Sequence, residues 1–580
     1  MKSSMPGFGS KIWSIKKTIL IFAIVPVSLN IGICQEMTPA FPGAEGYAKY
    51  VTGGRGGGVV YVTHLKDNTD KWGAGYAGSF RAALETPGNH PITIIFQVGG
   101  VINPQATLEC SRSNVTIAGQ TALGAGICIR GVGINFSGNN IIVRYMRFRV
   151  GDEVLQNDPA LTFSNGKKAI FDHCSFSWST EENVNITDVD SVTLQWCINS
   201  ESLYQSSHPK GNRGYAAQWG GMNSSYHHNL LAHHNSRMPR QNGCRNEDKK
   251  VTWDYRNNVH YNWGNNGAFY GGEVDLMDGF CHSNLINNYY KPGPATTTDK
   301  NSQYFCAPSL GKYNPPIFGH GLWYLDGNVM YDNPAKTNDN FSGLSGPEDH
   351  KAASAFEVFP INTTSAEEAY ADVLANAGAI LPVRDSIDLR IINEVKTRST
   401  VFGGVYGVGK GIIDSHLNTK PSWAGPEWNA WGIYPAVSKL YAPKDTDTDG
   451  IPDWWESANG LNPSDTTDGR QFAPDGSGYT NLEIYLNSDD VGRTGPVSIN
   501  NSDVLSYFEI FPNPVHSSFT IRSLLIPQTV EVYNLTGQKV VMENETGQRN
   551  INIGMIPSGY YLVKVTFSNG KYQICRILKN

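Results

Sequence analysis

An acidic stretch at residues 445–456 has the residue types and the spacing of a cation-binding loop. Counted from the first aspartate, carboxylates stand at positions 1, 3, 5, 9 and 12, and Gly450 stands at position 6. Calcium prefers such hard oxygen ligands, and the glycine permits the sharp turn that brings them together. The apolar Ile451, Trp454 and Trp455 within the stretch are not typical of a solvated acidic linker. We expect a structural calcium loop, remote in sequence from any candidate base, with the ligands Asp445, Asp447, Asp449, Asp453 and Glu456.

A second acidic group lies nearer the middle of the chain. Asp158 precedes Glu181 by 23 residues and Glu182 by 24 residues. Where a chain winds in coils of that length, residues one coil apart stack about 5 Å apart. Asp158 and either glutamate would then be close enough to share one Ca²⁺.

The elements that would position these side chains repeat from about Asn114 to Met330. Short β-rich runs are followed by turns, and successive runs start roughly 22 to 38 residues apart, a spacing typical of repeat architectures. A β-propeller would need about four strands per 40 residues and a regular signature, which this chain lacks. The sequence therefore predicts an all-β chain coiled as a parallel β-helix.

Asparagine recurs at comparable turn positions of these repeats. Stacked asparagine side chains can bond the backbone of neighbouring turns, and they tolerate left-handed backbone conformations. The pattern supports a solenoid, and its members are Asn229, Asn257, Asn258, Asn287, Asn288 and Asn328.

The beginning of the chain has the three parts of a secretory signal peptide. Basic residues precede an apolar run at residues 18–33, and Gly32 and Cys34 are small residues at the −3 and −1 positions for cleavage. Pro26 and Asn30 interrupt the run, which is short for a membrane span. We therefore expect export, with cleavage after Cys34.

The net charge and the cysteine spacing argue against two kinds of binding partner, nucleic acid and zinc. The formal net charge of −6 provides no basic field, so we expect no nucleic-acid partner. The cysteines show no CxxC spacing, which argues against zinc, and Cys174 and Cys197 on apolar runs are expected to be buried thiols. We expect the protein to act as a monomer.

Two segments that follow the repeats differ from them in sequence pattern. Residues 364–397 have a helical composition, and we interpret them as a cover over the solenoid. From about Val504, three alternating β runs resemble the C-terminal sorting domain of type IX secretion substrates in Bacteroidetes. The resemblance implies recognition by the type IX machinery and a secreted or outer-membrane surface location. The expected units are a signal peptide at 1–34, a β-helix at 35–440, a calcium-loop segment at 441–490 and a β-sandwich-like sorting domain at 504–580.

Four stretches carry a family pattern: residues 41–46 with 52–57, residues 114–120, residues 171–175 and residues 235–240. Together they resemble polysaccharide lyase family 1, the pectate lyases, and the likeness spans about residues 39–400. The Asp-His pair in the third stretch and the Arg-Met-Pro-Arg run in the fourth are its most specific parts. The resemblance implies a right-handed parallel β-helix and calcium-dependent β-elimination of polygalacturonate or pectin, giving 4,5-unsaturated oligogalacturonides.

Such an elimination removes a weakly acidic proton beside a carboxylate, whose charge must first be offset. A divalent cation held by clustered oxygens can do this as a Lewis acid. By motif position, the family's calcium ligands would fall on Asp158, Glu181 and Asn185. The family commonly has Asp in place of Asn185, and Glu182 could compensate for the neutral amide.

Arg237 matches the family's proton-abstracting arginine. A free guanidinium has a pKa above about 12, so the base role requires nearby cations, and the alternative is stabilisation of the carbanion. Lys210, Arg240 and Arg245 are candidate contacts for substrate carboxylates. The Asp172-His173 pair is expected to be structural.

Three alternatives remain open at this point. A pectin lyase acting on methylated pectin would line its cleft with aromatic residues, for which the candidates are Trp178, Trp219, Trp253 and Trp263. A polygalacturonase-type hydrolase needs clustered carboxylates, and residues 185–188 and 319–321 resemble its elements superficially. A non-catalytic glycan-binding surface protein is the third.

Overall fold

The structure of the protein is a computed structural model. It describes residues 37–580 except for 155–156, 207, 265–267, 298–303, 310–318, 347, 408, 423, 427, 494–507, 524–526, 535–537, 544–549 and 568–571. The predicted signal peptide at residues 1–34 lies outside the described residues.

Within the described residues, most of the chain winds through three parallel sheets of ten, eight and nine strands. Sheet one consists of Gly58–Val62, Ile92–Phe96, Val115–Ala118, Ile141–Arg144, Lys167–Asp172, Asp190–Gln195, Asn223–His227, Lys250–Arg256, Phe280–Ile286 and Leu322–Asp326. Sheet two consists of Leu108–Cys110, Ile134–Phe136, Leu161–Ser164, Glu182–Thr187, Tyr215–Trp219, Arg240–Gln241, Tyr270–Gly271 and Ala307–Pro308. Sheet three consists of Gly100–Ile102, Ile127–Ile129, Arg147–Arg149, Ser175–Ser177, Ile198–Ser200, Leu230–Ala232, Val259–Tyr261, Tyr289–Lys291 and Val329–Met330. Each full coil passes from sheet one through sheet three to sheet two, which confirms the predicted right-handed parallel β-helix.

Alternation along each strand fills the inside of the coil. In the strand Glu182–Thr187, Val184 and Ile186 are fully buried in the core, whereas Asn185 between them is partly exposed. Phe148 and Phe176 stack between successive coils with ring centroids 5.6 Å apart. Because the apolar side chains hold the coils together from within, the outward-facing positions can carry other chemistry.

A column of buried asparagines runs along one turn of the helix. The backbone N–H of Asn229 donates to Asn258 Oδ1 at 3.0 Å, and that of Asn258 donates to Asn288 Oδ1 at 2.9 Å. Asn288 repeats the contact with Asn328 at 3.0 Å. The column ends on Asn340 Oδ1, which accepts from the Asn328 N–H at 2.7 Å. The predicted asparagine stacking is therefore present for Asn229, Asn258, Asn288 and Asn328, whereas the side chains of Asn257 and Asn287 donate to the Thr364 carbonyl.

Two helices cover the outer face of sheet three, as predicted for residues 364–397. They are Ala366–Asn376 and Ser386–Thr397, and Val373 and Ile391 on them pack against Leu230. The other described α-helices are Phe80–Leu84, Pro334–Asn338, Asp453–Asn459 and Asn481–Leu486. The described 3-10 helices are Gly46–Ala48, Gly119–Thr121, Asn340–Gly343, Glu348–His350, His416–Thr419 and Lys439–Tyr441. A short antiparallel pair joins Glu273–Val274 to Gly319–His320.

A buried ionic network fastens this cover to sheet three. Asp385 Oδ2 accepts a hydrogen bond from Arg149 Nη2 at 2.8 Å and lies 3.2 Å from Arg147 Nε. Burial by itself raises the pKa of Asp385, but Arg149 and Arg147 outweigh burial and hold this pKa well below its usual range. The carboxylate is therefore charged in the folded protein.

Replacing Asp385 with Asn is expected to lower the free energy of unfolding by about 3–5 kcal/mol, because the buried Arg147 loses the carboxylate beside it and Arg149 keeps only its pair with Asp388. Denaturant unfolding at neutral pH measures the loss. A depressed folded-state pKa contributes stability that is present above the ordinary carboxyl pKa of 3.8 and is lost as the pH falls. The difference between the two proteins should therefore shrink in acid.

The matched control is Asp332→Asn, whose exposed carboxylate pairs with the exposed Arg398 at 2.7 Å. Such surface pairs contribute about 0–1 kcal/mol. A loss for Asp385→Asn no larger than that of the control would contradict the structural role of the network.

The C-terminal segment is a separate antiparallel unit with its own apolar core, which includes Val532, Val563 and Phe519. One of its sheets contains Phe508–Phe511, Ser518–Ser523 and Asn550–Asn552, and the other contains Lys539–Glu543, Pro527–Asn534, Gly559–Phe567 and Tyr572–Lys579. In the part of the chain that the structure describes, no helix is both long and apolar enough to cross a membrane.

Candidate active site

The outer face of sheet two carries a row of polar side chains. Asn185 is level with Gln218 on the next strand, and Gln218 is level with Arg240 on the strand after that. Neighbouring strands lie about 4.8 Å apart, so the row is continuous across three coils. A cleft of about 690 Å³ opens beside it, lined by Asn157, Pro159, Glu181, Glu182, Asn185, His208, Pro209, Lys210, Arg213, Gln218 and Arg237.

Arg237 is held inside this cleft by three neighbours. Its Nη1 donates to the carboxylate of Glu182 and, at 3.2 Å, to Gln218 Oε1. Its guanidinium carbon lies 4.1 Å from the centre of the Tyr215 ring, within the range of a cation–π contact. The Arg237 side chain is 18% exposed. A positioned guanidinium is therefore accessible from the cleft.

Glu181 is held by a second set of contacts. Arg213 Nη2 donates to its carboxylate, and His208 Nε2 lies 2.5 Å from its other oxygen. Burial, and secondarily the charge of Lys210, lowers the pKa of His208. His208 Nδ1 accepts from the Lys210 N–H at 3.0 Å, which leaves the Nε2 proton of a neutral imidazole for Glu181. Burial also lowers the pKa of Arg213.

Asp158 lies one coil below Glu181, as the sequence predicts. Leu161 pairs with Val184, and the same offset of 23 residues places Asp158 level with Glu181. The hydroxyl of Thr107 donates to the Asp158 carboxylate. The register therefore agrees with a shared cation, while this side chain is directed to Thr107.

Asn185 contributes an acceptor without a partner. Its Oδ1 atom is buried and accepts no hydrogen bond. Such an orphaned oxygen beside a charged cleft fits a cation ligand, because a buried polar atom is normally satisfied. Among the described residues, the carboxylates of Asp158, Glu181 and Glu182 do not form a group whose oxygens lie within 4.8 Å of one another. Their joint ligand role stays a prediction.

The three predicted substrate contacts lie in two places. Lys210 is exposed and lines the cleft. Arg240 donates to the carboxylate of Glu273, and Arg245 Nη1 lies 3.3 Å from the same carboxylate. Neither Arg240 nor Arg245 lines the cleft. Their contact with substrate stays a prediction, and it would require Glu273 to release them.

The Asp172-His173 pair has the contacts of a structural pair. Asp172 is fully buried, accepts from Arg144 Nε at 2.8 Å and lies 2.8 Å from His173 Nδ1. The His173 ring stacks on Trp196 with centroids 6.0 Å apart. The pair stands at the end of a sheet-one strand and does not line the cleft.

Most of the residues that kept other chemistries open lie away from the cleft. The four candidate tryptophans, Trp178, Trp219, Trp253 and Trp263, are fully buried and do not line it. His320 Nε2 lies 2.9 Å from Asp349, while Asp188 accepts from the Glu247 N–H at 3.2 Å. Asp188 and His320 of the two hydrolase-like elements are thus held by separate contacts and do not line the cleft, whereas Asn185, the first residue of the 185–188 element, does.

The acidic loop at 445–456 brings together a different group of carboxylates from the five that its spacing predicts as ligands. Asp447, Asp449 and Glu456 gather with Asp468, and one oxygen of each lies within 4.8 Å of the others. Burial, and secondarily the charges of the neighbouring carboxylates, raises the pKa of Glu456 to about 8 and that of Asp449 to about 7.

The two remaining loop carboxylates point elsewhere. Asp445 accepts from the Gly450 N–H at 3.1 Å and from the Tyr61 hydroxyl. Asp453 accepts from Lys444 Nζ at 2.7 Å. Both lie outside the group, so the loop keeps three of its five predicted members.

Sequence reasoning did not single out His208, Arg213 or Gln218 as members of the cleft. The signal for Gln218 was its place in an alternating run that follows Asn185 by one coil. His208 and Arg213 flank Lys210 in a loop without periodicity, and no pattern assigns their orientation.

Known proteins are similar to this chain over more than three quarters of its length. A probable pectate lyase C from Neosartorya fischeri is 33% identical over 457 residues, covering 77% of this chain and 93% of that protein. The chain belongs to the pectate lyase family. A probable pectate lyase C from Aspergillus terreus is 32% identical over 465 residues, covering 79% of this chain and 96% of that protein. Membership makes the chain a polysaccharide lyase, and the predicted family resemblance is confirmed.

Two further matches concern parts of the chain. The crystal structure of a pectate lyase from Bacillus sp. N165 in complex with trigalacturonate is 19% identical. It covers 58% of this chain and 98% of that chain, with a TM-score of 0.39. The family model of the secretion system C-terminal sorting domain matches residues 509–579, within the tail where the sequence predicts such a domain.

Proposed function

We propose that the chain cleaves α-1,4-linked polygalacturonate by calcium-dependent β-elimination in the cleft of sheet two. The product would be 4,5-unsaturated oligogalacturonides. The observation that carries the proposal is that Arg237 shares one cleft with Glu181, Glu182 and Asn185. A guanidinium and several oxygen ligands at one place suit an acidic substrate that must lose a proton.

Electrostatics support an acidic substrate. Lys210, Arg213 and Arg237 line the cleft against two carboxylates, so the positive side chains outnumber the negative ones by one. His208 is neutral at pH 7 because its pKa is lowered. A polyanion is therefore attracted locally even though the whole chain has a net charge of −6.

The reaction balances without an external oxidant or reductant. The C5 proton of a galacturonate leaves, its electron pair forms the C4–C5 double bond, and the C4–O glycosidic bond breaks. The leaving oxygen then takes up a proton. Arg237 acts at C5, where its planar guanidinium can receive the proton or stabilise the developing carbanion.

The proposed ligands of the cleft cation are Asp158, Glu181, Glu182 and Asn185. The orphaned Asn185 Oδ1 supports this set, since calcium takes carboxylate and amide oxygens together. Bound Ca²⁺ would neutralise the substrate carboxylate and stabilise the enolate-like transition state.

The test is an ultraviolet assay for the unsaturated product. Polygalacturonate and fully methylated pectin are each supplied with calcium, with a chelator, and with calcium restored in excess of the chelator. We expect absorbance to rise with polygalacturonate and calcium, to stop with the chelator and to return on restoration. Reducing ends without absorbance would indicate a hydrolase, and equal turnover of methylated pectin under chelation would indicate a pectin lyase. No turnover of either polymer would support a glycan-binding role.

We also propose a location and a division of the chain. The match of residues 509–579 to a sorting domain supports export by type IX machinery, with the protein secreted or attached to the outer-membrane surface. The proposed units are a signal peptide at 1–34, a catalytic β-helix at 35–440, a calcium-loop segment at 441–490 and a sorting domain at 504–580.

A further inference from the structure

Four carboxylates outside the cleft converge on one point. One oxygen from each of Asp447, Asp449, Glu456 and Asp468 lies within 4.8 Å of the other three. All four residues are buried, with exposed fractions of 8%, 8%, 0% and 7%. Four carboxylates removed from water at such short range repel each other strongly when they are charged, and a cation between them is what allows all four to be ionised together.

Three of the four carboxylates have oxygens without a hydrogen-bond partner. Both carboxylate oxygens of the fully buried Glu456 lack a hydrogen bond, as do Asp447 Oδ2 and Asp468 Oδ1. A buried carboxylate without a hydrogen bond is costly, and a cation bound between such carboxylates offsets this cost. The cluster is therefore more than a set of neighbouring acids.

The backbone holds the carboxylates in this arrangement. The second oxygen of Asp468 accepts from the Asn462 N–H at 2.9 Å. Asp449 accepts from the Ile451 N–H at 3.0 Å and from the Gly469 N–H at 2.7 Å. These hydrogen bonds fix the side chains of Asp449 and Asp468 and leave Asp468 Oδ1 available to bind a cation.

The segment that carries the cluster packs on the outer face of sheet one. Ile451, Trp455 and Leu482 form a buried apolar cluster with Ile95 and Ala118 from the second and third strands of that sheet. The ion pair between Arg55 Nε and Glu483, at 2.8 Å, adds a polar contact to the same region. The four carboxylates therefore lie beside sheet one, whereas the cleft lies on sheet two.

We propose that Asp447, Asp449, Glu456 and Asp468 bind one Ca²⁺ that fastens this segment against the first coils of the β-helix. Ca²⁺ accepts several carboxylates in irregular geometry, whereas Mg²⁺ demands an octahedron and retains its waters. The site is structural and independent of the cleft. It does not rest on the proposed function.

The experiment uses the full chain, Tb³⁺ as a calcium-sized luminescent probe, and thermal unfolding with and without calcium. Trp455, adjacent to Glu456 in the chain, serves to sensitise Tb³⁺ emission. The test variants are Glu456→Gln and Asp468→Asn. Asp453→Asn is the matched control, because it belongs to the same loop but bonds Lys444 instead of facing the cluster.

We expect each test variant to need at least about tenfold more Tb³⁺ for half-maximal emission, since affinity follows the number of charged ligands. Calcium should raise the Tm of the natural chain and of Asp453→Asn, and raise it less in the test variants. Without calcium, Glu456→Gln should melt no lower than the natural chain, because the neutral amide replaces a carboxyl group that is costly to ionise among the other three. This comparison of the metal-free proteins distinguishes a loss of calcium binding from a general loss of stability.

Three outcomes would contradict the proposal. Natural affinity for Tb³⁺ in both test variants would show that the cluster is not the site. A loss in Asp453→Asn as large as that in Glu456→Gln would return the ligand set to the linear loop. Lyase turnover by Glu456→Gln at low temperature and saturating calcium should match the natural chain, and its loss would contradict independence from the cleft.

Discussion

Arg237→Lys should lower kcat at least about a hundredfold, the scale for loss of a positioned acid–base group, while KM changes little. Lysine keeps the positive charge that attracts the polyanion. It lacks the planar guanidinium that lies over Tyr215 and whose Nη1 donates to Glu182 and Gln218, and so it cannot present several N–H groups in one fixed plane. The interaction with the C5 proton or carbanion forms mainly in the transition state, so the loss belongs to kcat.

Initial rates over a range of polygalacturonate concentrations, at saturating calcium, measure this effect. Arg398→Lys is a suitable control, because its exposed guanidinium pairs with Asp332 outside the cleft. Near-natural kcat in Arg237→Lys would remove Arg237 from the chemistry. The next side chains to replace would then be Lys210, which lines the same cleft, and Arg245.

Asp158→Ala should raise the calcium concentration for half-maximal activity at least about tenfold, because the cleft would lose one negatively charged ligand. The register that places Asp158 one coil below Glu181 is the structural reason for the expectation. Activity at limiting calcium should fall strongly and should recover in part when calcium is raised. A calcium titration of the initial rate measures both effects.

Glu181→Gln provides the comparison inside the cleft, since it keeps the side-chain length and removes only the charge. Asp332→Ala should leave the calcium titration unchanged, because Asp332 pairs with Arg398 and does not line the cleft. If Asp158→Ala has natural calcium dependence while Glu181→Gln does not, Asp158 serves Thr107 and not the cation. The ligand set would then be reduced to Glu181, Glu182 and Asn185.

The repeating part of the fold was predictable because its physics is local and periodic. Each coil must bury alternate side chains, and each turn that stacks on the next can use asparagine, as Asn229 and Asn258 do. These requirements recur along the chain and leave a visible pattern. The helical cover was predictable for a related reason, since the interruption of β runs at 364–397 has a helical composition.

The side chains that pair across distant segments were less predictable. Glu273 bonds Arg240 and lies near Arg245, yet it belongs to a two-residue strand without any motif. Asp468 follows Glu456 by 12 residues, outside the loop template that named Asp453. Partner choice in these cases depends on where a turn directs the chain, and residue spacing alone does not encode that direction.

The place where the asparagine column stops has a consequence for the behaviour of the molecule in concentrated solution. The last strand of a solenoid ordinarily presents unpaired backbone groups on which a second molecule can continue the stack. Asn340 supplies to Asn328 the side-chain oxygen that the next coil would have supplied. The backbone and side-chain N–H groups of Asn328 are therefore already hydrogen-bonded. A residue from the same chain thus blocks end-to-end polymerisation through the column.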